Sequence, residues 1–138
     1  MRYVLDTDML TLYEEGHPKV VGRVAAYSPE DLATTIITVE EQLSGWFTML
    51  RRARNRQASA RIYRRLAETV TFLGRIPIIS FTEEAMVRFE TLRGMKLNVG
   101  GMDLRIAAIV LEDRAVLVTR NARDFRRVSG LVIEDCSI

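Results

Sequence analysis

Four places in the chain set an acidic or amide side chain where an apolar strand-like run ends or a helical one begins: Asp6, Glu41, Asp103, and Asn121 with Asp124. Carboxylates gathered in one crevice repel one another unless a cation sits between them. Hard divalent ions such as Mg²⁺ or Mn²⁺ suit the role, because they take oxygen donors and let water and substrate phosphate complete the shell. One or two such ions would serve phosphodiester hydrolysis by neutralising phosphate oxygen and lowering the pKa of a coordinated water. Thr7 and Thr119 stand beside the acids, where a hydroxyl could bond a carboxylate, a phosphate or the backbone. Each acid alone also reads as a helix cap: Thr38-Val39-Glu40-Glu41 fits a capping box, and Asp8, Asp103 and Asn121 could cap helices of their own. The case for a site is their joint placement.

Other chemistries have little to work with. His17 is the only histidine and Cys136 the only cysteine, so an internal disulfide and a Cys/His zinc cluster are excluded. A Ser-His-Asp or Cys-His arrangement would have to use His17, which lies between Gly16 and Pro18 in an expected loop. Net charge is only +2, yet apart from Lys19 and Lys96 every cation is arginine, the side chain that matches phosphate with a planar fork. Seven arginines fall in residues 51–65, readable either as a solvated helix face or as a cradle for RNA phosphates. Arg120 and Arg123, followed by Arg126 and Arg127, flank the last acidic position and suit phosphate contact. With no apolar run long enough to span a bilayer and no signal-peptide pattern, the expectation is a cytoplasmic protein without a membrane partner.

Positioning the acids requires alternating strands and helices. Tyr3-Val4-Leu5 reads as a strand, followed by a helix with Met9, Leu10, Leu12 and Tyr13 on its apolar face and a second helix through Val20, Val21 and Val24. Residues 33–37 are expected as the next strand, with Thr38 opening a helix. Two long helices with a basic elbow come next, then a strand at 76–79, a helix capped by Thr82, a loop at 94–101, and an apolar helix at 102–111. Residues 115–118 form a continuous apolar run ending at Thr119, and Leu131-Val132-Ile133 makes a last strand. Strands that lack side-to-side alternation and alternate with helices imply an α/β three-layer sandwich around a parallel sheet. Residues 1–138 read as one domain, with 48% hydrophobic residues to fill one core. In an open parallel sheet, residues just beyond the carboxyl ends of the strands converge on one crevice.

The runs strand-Asp6-Thr7-Asp8, Ile37-Thr38-Val39-Glu40-Glu41-Gln42-Leu43-Ser44-Gly45, Gly101-Met102-Asp103-Leu104-Arg105-Ile106-Ala107-Ala108 and Val118-Thr119-Arg120-Asn121-Ala122-Arg123-Asp124-Phe125 occur in this order. In that order and context the chain resembles, over nearly its whole length, the PIN-domain toxins of the VapC type. The resemblance implies a Mg²⁺- or Mn²⁺-dependent endoribonuclease, with Asp6, Glu41 and Asp103 as the first three acidic positions. The fourth falls to Asp124, with Asn121 assisting, and Glu40 points elsewhere on its helix. It also implies a homodimer and a small antitoxin whose carboxy-terminal segment lies in a groove made by the early helices. The tail at 128–137 resembles that of members directed at initiator tRNA, with Cys136 where those often carry tryptophan, which makes tRNA the expected substrate. Two other readings stand beside this one. Asp6 and Asp8 also fit the nucleophile and general acid of a haloacid-dehalogenase-like phosphatase, although Lys96 lacks the context that family needs. The amide at Asn121 would suit a non-catalytic RNA-binding domain. Trp46, Phe47 and Leu50 are expected in core or dimer packing, and Asp8 as the cap of the first helix.

Overall fold

The computed structural model describes residues 1–136. Five parallel strands form one sheet in the order β3-β2-β1-β4-β5, with β1 at Tyr3–Leu5, β2 at Leu32–Thr35, β3 at Ile78–Ile79, β4 at Val116–Thr119 and β5 at Val132–Asp135. The register pairs Tyr3 with both Leu32 and Val116, and Leu5 with Val118, so β1 lies in the middle of the sheet. The order of strands reverses between β1 and β4, and the crevice beyond their carboxyl ends is where such sheets bind ligands.

The absence of alternation has a direct cause: both faces of the central strands are buried. Val4 and Leu117 face a core built with Ile37, Phe89, Ile106 and Phe125, whereas Leu5 and Val118 face a second core built with Met9, Leu10, Val24 and Leu73. Successive strand residues point to opposite sides, so each must be apolar. The first core is covered by α3 (Ile36–Arg52), α5 (Glu83–Gly94) and α6 (Gly101–Asp113), the second by α1 (Thr7–Glu14), α2 (Pro18–Val24) and α4 (Arg56–Leu73). In α6 the run from Ile106 to Val110 is at most 1% exposed, as its apolar circumference requires. A one-turn helix, α7, spans Ala122–Phe125 and buries Phe125 completely. The three-layer α/β sandwich is therefore the observed architecture.

Helix starts differ from expectation in three places, each for a local reason. Asp6, not Asp8, caps α1, its carboxylate accepting from Met9 N at 2.9 Å. The helix α3 begins at Ile36, two residues before Thr38, because Thr35 Oγ1 accepts from Thr38 N at 3.2 Å and ends β2. The β-branched run there favours a strand, but the cap overrides it. Gly100, not Asp103, occupies the cap of α6, which leaves the Asp103 carboxylate free of that duty. Asn121 stands at the cap of α7 without a side-chain capping bond. Asn55 and Thr82 cap α4 and α5 through Ala58 N and Ala85 N, and the basic elbow between α3 and α4 is only residues 53–55. Of the tail at 128–137, Ser137 lies outside the described residues.

Candidate active site

The carboxyl end of β1 delivers Asp6 to the crevice, and β4 delivers Thr119 beside it. Asp6 is 5% exposed and Thr119 fully buried. Thr119 Oγ1 donates to Asp6 Oδ2 at 2.5 Å while accepting from Asn121 N at 2.9 Å. With Met9 N on its other oxygen, the Asp6 carboxylate is held in one orientation from two sides. Burial nonetheless pushes its pKa up to about 6; the two hydrogen bonds pull against that, and repulsion from Asp8 and Asp103 adds to it.

Asp103, near the start of α6, reaches the same crevice. Its pKa also rises to about 6, through burial first and then repulsion from Glu41, Asp8 and Asp124. Asp103 is thus the group that senses the other carboxylates, and no lysine or arginine is seen to ion-pair with Asp6, Asp8, Glu41 or Asp103 among the described residues. Glu41 is placed one turn into α3, where the Thr7 hydroxyl donates to its Oε1 at 2.6 Å. Since Thr7 has one proton to give, the buried Thr38 hydroxyl, 3.0 Å away, donates to Thr7. This relay ties α1 to α3 and fixes the Glu41 carboxylate. The sequence offers Thr38 as a helix opener and as the start of a capping box with Glu41; the structure makes it support for Thr7 and, through Thr7, for Glu41.

The fourth acidic position is organised differently. Asn121 Nδ2 donates to Asp124 Oδ2 at 3.1 Å, and Arg127 Nη1 lies 3.2 Å from Asp124 Oδ1 while also donating to Asn98 O. Asp124 is close enough to repel Asp103, yet its charge is shared with Arg127. Asp8, expected as a cap, is instead an exposed carboxylate that repels both Asp6 and Asp103. Its place in the first turn of α1, two residues after Asp6, was the available signal. Arg120 and Arg123 are both exposed, and Arg120 shares a cleft with Asp8, Thr11, Leu12 and Asn121.

The donor set suits a hard divalent cation: oxygen only and partly buried, with burial first and mutual repulsion second holding Asp6 and Asp103 above the usual carboxylate range. Among the described residues no three such side chains close tightly enough to cage an ion on their own. An ion here would draw much of its shell from water and substrate phosphate, as Mg²⁺ commonly does.

Beside Glu41 a cleft of about 330 Å³ opens between α1, α3 and α4. Trp46, expected in core or dimer packing, lines it together with Thr7, Glu14, Met49 and Arg65. Its indole Nε1 donates to Thr69 Oγ1 at 2.9 Å, and the Arg65 guanidinium sits 5.3 Å from the ring centroid. Burial raises the Glu14 pKa at the far wall of this cleft. Phe47, one residue on, is 46% exposed.

No established family profile matches the chain. Ribonuclease VapC1 of Haemophilus influenzae strain R2866 is 29% identical over 141 residues, covering 98% of this chain and 98% of that protein. Ribonuclease VapC2 of Rickettsia felis is 34% identical over 68 residues, 46% of this chain and 51% of its own. Among solved structures, VapBC-1 from nontypeable Haemophilus influenzae superposes with a TM-score of 0.75 at 27% identity over the full length of both chains. DNA-bound VapBC from Salmonella typhimurium gives a TM-score of 0.80 at 24% identity over 98% of each, a likeness of fold.

Proposed function

We propose that this chain, a full-length relative of the VapC ribonucleases, is a divalent-metal-dependent endoribonuclease and the toxin of a toxin-antitoxin pair. The observation that carries the reading is Asp103 facing Asp6, Glu41, Asp8 and Asp124 at the switch point of a parallel sheet with no cation from the chain between the first four. Nothing in the geometry favours the phosphatase: Lys96, the lysine that reading needs, is exposed in the loop at 95–100.

Asp6 and Asp103 are the principal ligands for Mg²⁺ or Mn²⁺, one or two ions, with Glu41 and Asp124 supplying the second pair of oxygens or orienting water. When bound, the ion supplies charge neutralisation of a phosphate oxygen and a more acidic water. The chain's own part is orientation and charge. Thr119 and Met9 N fix the direction of Asp6, the Thr38-Thr7 relay fixes Glu41, and the Asn121 amide steadies Asp124. Arg120 and Arg123 neutralise flanking phosphates, and tRNA is the proposed substrate. A preorganised donor set of this kind avoids reorganisation at the moment of bond cleavage.

The cleft along α1, α3 and α4, which runs from Glu41 to Trp46 and Arg65, is where we place the carboxy-terminal segment of a cognate antitoxin. A homodimer belongs to the same proposal. Among the described residues no helix is long and apolar enough to cross a membrane.

The test is incubation of the purified protein with total tRNA and Mg²⁺ or Mn²⁺, with EDTA and Asp103→Asn as controls and the cut ends mapped. Discrete cleavage lost in both controls is the expected result. Intact tRNA and ribosomal RNA alongside hydrolysis of a small phosphate ester would overturn the reading.

A further inference from the structure

A second polar cavity, of about 250 Å³, adjoins the crevice on the α2 side. It is lined by Met9, His17, Lys19, Val20, Arg23, Arg120 and Cys136, with no carboxylate on its wall among the described residues. Three of those side chains carry positive charge, and Lys19 and Arg120 form no ion pair among the described residues. Two of its polar atoms are buried without a hydrogen-bond partner: His17 Nδ1 and Arg23 Nε. Arg23 Nε lies 3.3 Å from Glu134 Oε1, an ion pair without hydrogen-bond alignment. Arg23 also donates through Nη2 to Asp135 O at 3.1 Å, so His17 Nδ1 is the nitrogen left without any partner among the described residues, which is costly unless a ligand or water completes it. Arg120 belongs to the walls of both this cavity and the Asp8-Asn121 cleft, so its side chain stands between the two.

We propose that this cavity is a phosphate subsite that holds the backbone of the RNA next to the bond to be cut; the proposal rests on the nuclease reading. Carboxylates gather at the crevice and cations at the neighbouring cavity, a division that suits a polyanion running from one to the other. The scissile phosphate sits at the acidic end, where divalent ions reverse the local sign. An adjacent phosphate, with no ion to accompany it, sits among Lys19, Arg23 and Arg120, with His17 as a hydrogen-bond partner. Arginine and lysine contacts of this kind set register along a strand without reading its sequence.

The experiment uses metal-free protein carrying Asp103→Asn and a fluorescent single-stranded oligoribonucleotide, read by anisotropy across a salt series. Adding Lys19→Ala and Arg120→Ala should weaken binding on the order of tenfold and flatten the logarithmic salt slope by about 1.4, since each single-strand phosphate contact contributes about 0.7. A charge-matched pair at the opposite end of the sheet, Arg75→Gln with Arg114→Gly, should leave both nearly unchanged. Because His17 is the only histidine, its ring resonances give a second, local readout: they should shift as the oligoribonucleotide is added and stay still in the Lys19/Arg120 variant. Equal losses from the two charge pairs, or an unmoved His17 ring under saturating RNA, would overturn the subsite. The two readings fail separately: binding through His17 without metal-dependent cleavage sinks the nuclease, whereas cleavage with no special effect of Lys19 and Arg120 sinks the subsite.

Discussion

Replacing Asp6 by asparagine should make the metal-free protein more stable at neutral pH and leave it no more stable in acid. Asp6 is almost completely buried, and its pKa rises from 3.8 to about 6 on folding. A carboxyl whose pKa is raised by folding stabilises the native state while protonated, below about pH 4, and that contribution is lost as pH rises through about 6. At 1.36 kcal/mol per pH unit, the difference corresponds to about 3 kcal/mol of destabilisation once the group is ionised. The asparagine is nearly isosteric and keeps an oxygen for Met9 N, but leaves the Thr119 hydroxyl without its acceptor, a loss of about 1 kcal/mol. The net gain is about 2 kcal/mol at pH 8. For a chain of this size that is a rise in Tm of roughly 8 °C. The assay is thermal unfolding in EDTA by circular dichroism at pH 4 and pH 8, wild type against Asp6→Asn. A variant destabilised by the same amount at both pH values would refute the reasoning: Asp6 would then act through its cap and its bond to Thr119 alone, without a penalty for its buried charge.

Three further outcomes follow from the same geometry. Saturating Mn²⁺ should raise the Tm of the wild type, by the equivalent of about 2.7 kcal/mol at one hundred times Kd. That rise should shrink below pH 6, where Asp6 and Asp103 become protonated, and disappear in Asp103→Asn; an undiminished shift in that variant would place the ion elsewhere. Thr7→Val keeps the shape of the side chain but removes the bonds to Glu41 and Thr38, and should lower kcat on the order of tenfold with little change in KM if Glu41 must be preoriented; a change confined to KM would mean that Thr7 holds substrate instead. Trp46 is the only tryptophan, so its fluorescence should change when an antitoxin segment enters the cleft, and Trp46→Ala should weaken that binding by about 2 kcal/mol or more, as buried aromatic anchors commonly do. Unaltered affinity would move the partner to another face.

Much of this arrangement is legible in the sequence because it follows from periodicity. Apolar runs such as Tyr3-Val4-Leu5 and Ala115-Val116-Leu117-Val118 have no polar member, which only a strand covered on both faces tolerates, and acids placed just after such runs must meet at one end of the sheet. What periodicity cannot resolve is competition between neighbouring side chains for the same backbone group. Asp6 and Asp8 are both good caps, and only the position of β4, which brings Thr119 to Asp6, decides that Asp6 takes the role. Thr34, Thr35 and Thr38 look alike as letters but respectively bond Leu5 O, cap α3 and support Thr7. Trp46 is apolar enough for a core position, yet the space beside it depends on how α1, α3 and α4 lean together. The cationic cavity is hidden for a related reason: Arg120 lies more than a hundred residues beyond His17 and Lys19, and the three meet only in the folded chain.

The place of β1 in the middle of the sheet governs when the acidic crevice can form. β1 precedes β4 by more than a hundred residues, yet it gains its second neighbour only when β4 lies down beside it. Until then Asp6 has no Thr119 to orient it, and α6, which carries Asp103, has no finished sheet to rest on. A nascent or truncated chain therefore carries the acids without the site.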